Sequence, residues 1–295
     1  MAELTPPFRL SEGPGSVERL WTLVLGGVLG VGLVILVNLA GPWQSKSTMS
    51  SGKEVVDTDW TRILVDWSYY TEADGVQVNE RNWFSVQAFM WVATFVGLGE
   101  LSIRWRVMRA DQAILRGGLL PEDERSLLTA EDLRPIYLKA RGMSRTAVLP
   151  VLVRRLAMEF RKSKSIDRVN GLLDSSLELF LHQLDLRYTL IRYLVWVIPT
   201  LGFVGTVIGI ASAMSFAGSG AVANEALLSP TTQRLAVAFY TTLVALLQSG
   251  VLVLGMNALQ SGEEKCVNDA GQYCLENLVM RLMEPGQIEG MRGKG

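Results

Sequence analysis

Thr206 and Thr242 are the residues of this 295-residue chain whose type and setting suggest chemistry. On a helix of 3.6 residues per turn, positions i, i+4, i+7 and i+11 fall within about 60° of one another. Gly202, Thr206, Gly209 and Ala213 hold those positions in one apolar stretch, and Ala238, Thr242, Ala245 and Ser249 hold them in the next. Each stretch therefore carries one narrow stripe without bulky side chains and with a threonine inside it. Such a stripe lets another backbone come close, and the hydroxyl can bond across the gap. Two readings follow: small-residue packing between the two helices, or the lining of a narrow, protein-filled pore. A threonine hydroxyl donates and accepts hydrogen bonds but cannot hold and release a proton at ordinary pH. No acid or base lies within either stretch: Arg192 and Arg234 mark the borders, and Glu225 falls in the connecting loop. If ions pass here, the titrating group must come from another polypeptide, because proton-driven devices place an ionisable side chain at membrane depth.

The elements that position these residues are membrane helices. The stretches 192–217 and 233–258 each hold the 20 or so apolar residues needed to cross a bilayer. With 49% hydrophobic and 19% charged residues and a mean hydropathy of +0.25, the chain reads as an integral membrane protein. Its net charge of −1 gives no argument for nucleic acid. Residues 20–40 form a first span, too long for a signal-peptide core and without a good cleavage site. Gly26 and Gly30 within it have helix-packing spacing rather than nucleotide-loop context. Residues 83–101 form a second span with Glu100 at its end, either paired with Arg104 four residues on or an ionisable candidate for ion transfer. Segment 102–191 is rich in Arg and Lys (Arg104, Arg106, Arg109, Arg154, Arg155, Arg161, Lys162, Lys164), whereas loop 218–232 has none. The positive-inside rule then predicts an all-α, four-span protein with both termini cytoplasmic.

Between the spans, residues 1–19 read as a polar cytoplasmic segment and 41–82 as an external, periplasmic loop with scattered aromatics. The cytoplasmic segment 102–191 reads as helices. Leu120-Pro121-Glu122-Asp123-Glu124 is a predicted helix start, and Thr129 and Asp132 have capping-box spacing. Apolar residues from Leu172 to Leu190 suggest that the third-span helix continues into the cytoplasm. The basic run 154–164 reads as a solvated face that could also meet anionic lipid, and His182 as a surface or packing residue. Residues 259–283 read as a further cytoplasmic helix and 284–295 as a disordered tail. Cys266 and Cys274 are two isolated cysteines, read as reduced and structural. With a single histidine, they make neither a metal site nor a disulfide framework.

The run Ile198-Pro199-Thr200-Leu201-Gly202-Phe203-Val204-Gly205-Thr206-Val207-Ile208-Gly209, followed by Leu235-Ala236-Val237-Ala238-Phe239-Tyr240-Thr241-Thr242-Leu243, resembles the MotA/TolQ/ExbB proton-channel family. The resemblance covers about residues 175–260. It implies a ring of about five copies around a pair of single-span MotB/TolR/ExbD-like subunits, each with an aspartate that takes up the ion. By position, Thr206 and Thr242 match the family's two pore threonines and Pro199 its pore-helix proline. Thr241, beside Thr242, makes the second run look like sodium-driven members, so Na⁺ is the alternative to H⁺. Four spans resemble MotA more than three-span TolQ and ExbB, although the external loop is long for MotA. The implied role is the stator-ring subunit of a motor in the bacterial inner membrane, with no bound cofactor.

The residues themselves form no catalytic constellation: no Ser-His-Asp set, phosphate loop or metal motif is present. That excludes the familiar enzyme classes and leaves a pore, a transporter or a scaffold. A solute transporter would show broken helices in related halves or buried polar groups; Pro199 could break a helix, but no repeated halves are visible.

Overall fold

In the computed structural model the described residues are 16–40, 68–73, 76–81, 85–120, 127–143, 147–218 and 228–284. Helices dominate: α1 (Ser16–Ala40), α2 (Val86–Arg116), α3 (Leu133–Gly142), α4 (Val148–Ser163), α5 (Ile166–Arg187), α6 (Thr189–Gly218) and α7 (Leu228–Asn277), closed by a short 3₁₀ turn Val279–Arg281. The exception is an antiparallel hairpin of β1 (Ser68–Ala73) and β2 (Val76–Arg81), in register from Ser68 opposite Arg81 to Ala73 opposite Val76. It lies inside 41–82, which composition alone reads as a polar loop. The all-α class holds for every other described element. Residues 121–124 of the expected helix start at Leu120–Glu124, most of the tail and residues 219–227 of the loop between α6 and α7 lie outside the described residues.

Three described helical runs are long and apolar enough to cross a membrane: those over Val86–Arg116, Ile166–Gly218 and Arg234–Arg281. In α1 the apolar described part, Leu20–Leu36, is shorter. α5 and α6 follow each other with only Tyr188 between them. α7 runs for 50 residues through both the apolar stretch 233–258 and the polar one after it.

The chain divides into two compact units, one of Trp21–Leu101 and Leu190–Gly255, the other of Met1–Leu20, Ser102–Thr189 and Met256–Gly295. The first, apolar unit contains most of α1 and α6 and the N-terminal parts of α2 and α7. Helices that are hydrophobic all round belong in lipid or a large core. Here Trp196, Phe203, Val207 and Met214 of α6 and Phe239, Leu243, Leu247 and Leu254 of α7 are exposed. The buried positions are small or spaced three and four apart. On α2 they are Gln87, Met90, Thr94, Gly97, Glu100 and Leu101. Gly26 and Gly30 let α1 lie directly on α2. A Cβ on Gly26 would stand 2.7 Å from the Phe95 carbonyl oxygen, and one on Gly30 2.9 Å from the Val92 Cα. On the far side of α2, a Cβ on Gly97 would meet Leu252 of α7 at 3.0 Å and Leu194 of α6 at 3.5 Å.

The second, polar unit has its own hydrophobic core. Leu152, Leu156, Ala157 and Phe160 from α4 pack with Leu133 and Ala140 from α3, Val169 and Leu173 from α5, and Ala270 and Cys274 from α7. These are one-sided, amphipathic patterns, and burying such a stripe is what holds short helices in place. The Asp132 carboxylate accepts hydrogen bonds from the Thr129 backbone N–H (2.9 Å) and hydroxyl (2.6 Å), the reach-back half of a capping box just before α3. Those two bonds hold its pKa below the usual value. After α7 the chain returns to the core: Leu128 N–H donates to the Arg281 carbonyl (2.8 Å) and Met283 N–H to the Leu128 carbonyl (3.1 Å). Glu284, grouped by composition with the tail, accepts the first α5 amide, Ile166 N–H, at 2.9 Å. A carboxylate there satisfies one of the orphan donors of the helix N-terminus.

Candidate functional site

α6 and α7 meet along their small-residue stripes. A Cβ on Gly202 would stand 2.5 Å from the Ala245 Cβ, one on Gly205 2.9 Å from the Thr241 Oγ1, and one on Gly209 2.6 Å from the Ala238 Cβ. Only hydrogen fits at these positions, so glycine sets the distance between the two helices. Ala213, Ala238 and Ala245 are buried in the same seam, with Thr241 and Ser249 beside them. Of the two readings open from the spacing, packing between these helices is the arrangement observed. Thr206 and Thr242 alone among the stripe's hydroxyl residues are half-buried, at one edge of the seam.

There they touch each other, hydroxyl to hydroxyl. The Thr206 hydroxyl lies 3.1 Å from both the Gly202 and the Ala238 carbonyl oxygens, and the Thr242 hydroxyl 3.2 Å from the Gly202 oxygen. Two hydroxyls have two protons for these four contacts, so the protons can be redistributed without moving a heavy atom. Thr241 is different: its hydroxyl donates its proton to the Ala238 carbonyl at 2.7 Å within α7, which leaves only its oxygen lone pairs to accept. The edge is thus a cluster of neutral oxygens, two hydroxyl and two carbonyl. It can relay hydrogen bonds or offer oxygen ligands to a monovalent cation, but it holds no charge of its own.

Pro199 has a structural consequence one helix away. A proline inside a helix lacks the N–H that would bond to residue i−4, here Val195. The Ser249 hydroxyl of α7 donates to that Val195 carbonyl at 2.9 Å. In a bilayer, where water is absent, a freed carbonyl must be satisfied by protein. Ser249, counted by spacing as a stripe residue, therefore completes α6 rather than facing the hydroxyl edge. At the other end of the seam, Arg234 donates to the Ser212 carbonyl at 3.2 Å and stacks 4.2 Å from the Phe216 ring centre.

Gly205 is the seam residue that the four-position stripe misses, because it lies three residues after Gly202 rather than four. The spacing Gly202, Gly205, Gly209 is itself the signal, a three-then-four pattern on one face. Glu100 is fully buried near the end of the apolar part of α2. Gln248 is also buried in this unit, and neither its amide nitrogen nor its amide oxygen has a hydrogen-bond partner. His182 is exposed on α5. Cys266 and Cys274 are free and buried in α7, and burial pushes their thiols up to about 11 and about 12. Among the described residues no group of His, Cys, Asp and Glu could hold a metal.

A comparison with curated proteins finds no match to this chain. A comparison with protein families finds one, the MotA/TolQ/ExbB proton channel family, over residues 143–271. The matched range takes in α4 and α5, the whole of α6 with its three seam glycines, and α7 as far as Gly271. Its members are channel and transducer proteins that work with a partner subunit in membrane energy-transducing complexes. The glycine-set seam and its threonine edge lie inside the match, so residues 143–271, the part of the chain that holds the site, are similar to the MotA/TolQ/ExbB proton channel family.

Proposed function

We propose that this chain is the ring subunit of a proton-driven motor in a bacterial inner membrane. About five copies would surround a pair of single-span MotB/TolR/ExbD-like subunits whose aspartates carry the ion. α1 would serve as the fourth span, both chain ends and the polar unit would face the cytoplasm, and hairpin β1–β2 would lie outside. The observation that carries this reading is the hydroxyl edge: oxygens from both helices of the seam, half open, in stretches 193–217 and 235–258 that hold no acidic or basic side chain. Such an edge suits a neighbouring aspartate that arrives charged or protonated, because hydroxyls can bond to either form. The small residues are occupied within the chain, so the partner helix would approach at Thr206 and Thr242 rather than along the whole stripe. Sodium is the alternative ion, since Thr241 and Thr242 add oxygens to the same turn.

Valine matches threonine in shape and removes only the hydroxyl. Thr206→Val and Thr242→Val are expected to assemble normally yet lose at least tenfold in ion flux after reconstitution with the partner. Normal flux in assembled variants would refute the pathway. Packing of the two stripes on each other favours one other reading, a scaffold that organises an envelope complex without conducting. Native mass spectrometry of the complex from its own membranes separates the two. Several copies of this chain with a smaller single-span protein bearing a membrane aspartate support the motor, and a ring alone supports the scaffold.

A further inference from the structure

In the polar unit a small cavity, about 30 Å³, is lined by Asp111 of α2, Gln183 and Arg187 of α5, and Glu263 and Cys266 of α7. That is space for one or two water molecules. Glu263 is only 6% exposed, and its Oε1 has no hydrogen-bond partner. A buried, unpartnered carboxylate oxygen beside a polar cavity is costly unless a proton or a bound water relieves it. We propose that Asp111 and Glu263, with the cavity that both line, form a proton-binding site in which one proton and a water molecule are shared between the two carboxyls.

The surroundings bear on the choice of ligand. From α2, Arg104 and Asp111 act on Glu263; from α5, Arg187; and beside it stands the Tyr188 hydroxyl. Glu264 acts on Tyr188, and Asp269 on Cys266, from α7. α4 contributes the Val148 backbone N–H, which bonds to Asp111. The two guanidiniums are permanently charged and repel a metal cation, whereas a proton can settle on either carboxyl. Burial is the largest influence on both acids. It lifts Asp111 to about 6 although Arg187 and the Val148 amide pull it back. It lifts Glu263 to about 7 although Arg104 and Arg187 pull it back, with Asp111 adding to the rise. The site lies wholly in the polar unit, so its test does not depend on ion flow through the apolar one.

The test is infrared difference spectroscopy of the full chain in lipid nanodiscs across pH steps, reading the C=O stretch of protonated carboxyl groups. The wild-type protein is expected to lose such a band between about pH 5.5 and 8, well above the ordinary carboxylate range. Glu263→Gln should remove most of that band, and Asp111→Asn should shift its midpoint downward by relieving the like charge. Glu100→Gln, at the other buried acid, should leave it in place. A wild-type protein with no protonated carboxyl above about pH 5.5 would overturn the proposal whether or not the variants fold. So would a band that survives Glu263→Gln and disappears in Glu100→Gln.

Discussion

At the scale of single residues, space and solvation decide what each side chain can do. Gly202 and Gly209 have no room for a methyl group, since Cβ atoms there would stand 2.5 and 2.6 Å from alanine Cβ atoms, whereas Gly250 has nothing within 4 Å. Gly202→Ala and Gly209→Ala should therefore each cost about 1–3 kcal/mol by forcing α6 and α7 apart, and Gly250→Ala should be close to neutral. Thermal unfolding in a fixed detergent checks the contrast, and equal midpoints for all three would refute the seam. Charge burial gives a second expectation. Asp111 is raised from 3.8 to about 6 and Glu263 from 4.5 to about 7. Between those values the folded state holds more protons than the unfolded one, so stability falls as pH rises from about 4 to about 7 and levels off above. The wild-type midpoint should drop across that window, and Glu263→Gln should flatten its upper part. Parallel curves would show that burial at Glu263 contributes nothing.

At the scale of elements, α7 supplies what α6 lacks. Pro199 frees the Val195 carbonyl, and Ser249 fills it from across the seam at 2.9 Å. Ser249→Ala should then cost about 1–3 kcal/mol, the penalty of an unsatisfied buried acceptor. Pro199→Ala restores an N–H at the i+4 position, so the double variant should recover most of the loss. A thermodynamic cycle with zero coupling between the two sites would mean that the carbonyl finds another donor. The Ser249 spacing was legible in the sequence, but its role was not. Helical periodicity places a residue on a face; which carbonyl it meets depends on the axial register of two helices, here one that joins residues 54 apart in the chain.

At the scale of the whole molecule, the two units are stabilised in different ways. The apolar unit exposes large aliphatic and aromatic side chains that only lipid or other helices can cover, while the polar unit buries a conventional core. Both cysteines belong to the polar unit, buried with thiols held well above the ordinary value. A maleimide should therefore leave Cys266 and Cys274 unlabelled in the native protein at about pH 7.5 and label both once the polar unit is opened by denaturant, because only thiolate reacts. Rapid labelling of the native protein would place these thiols at a surface instead.

The sequence by itself determined the helical class, the apolar stretches, the two threonine-bearing stripes and the family resemblance, because each of these is written in local composition and period. Hydrophobic length sets a span, a 3.6-residue repeat sets a face, and a proline-glycine-threonine run is visible without a partner. The hairpin in 41–82 was not legible, since Ser68–Ala73 lacks the hydrophobic alternation that marks a half-buried strand and Val76–Arg81 carries it only at Val76 and Val78. Only the tertiary structure decided that the stripes fill each other and leave Thr206 and Thr242 at an edge. It also returned Glu284 to cap α5, and it brought Asp111 and Glu263 to one cavity from positions 152 residues apart. These outcomes depend on how helices dock, and docking distance follows from which glycines and side chains happen to oppose one another across the interface.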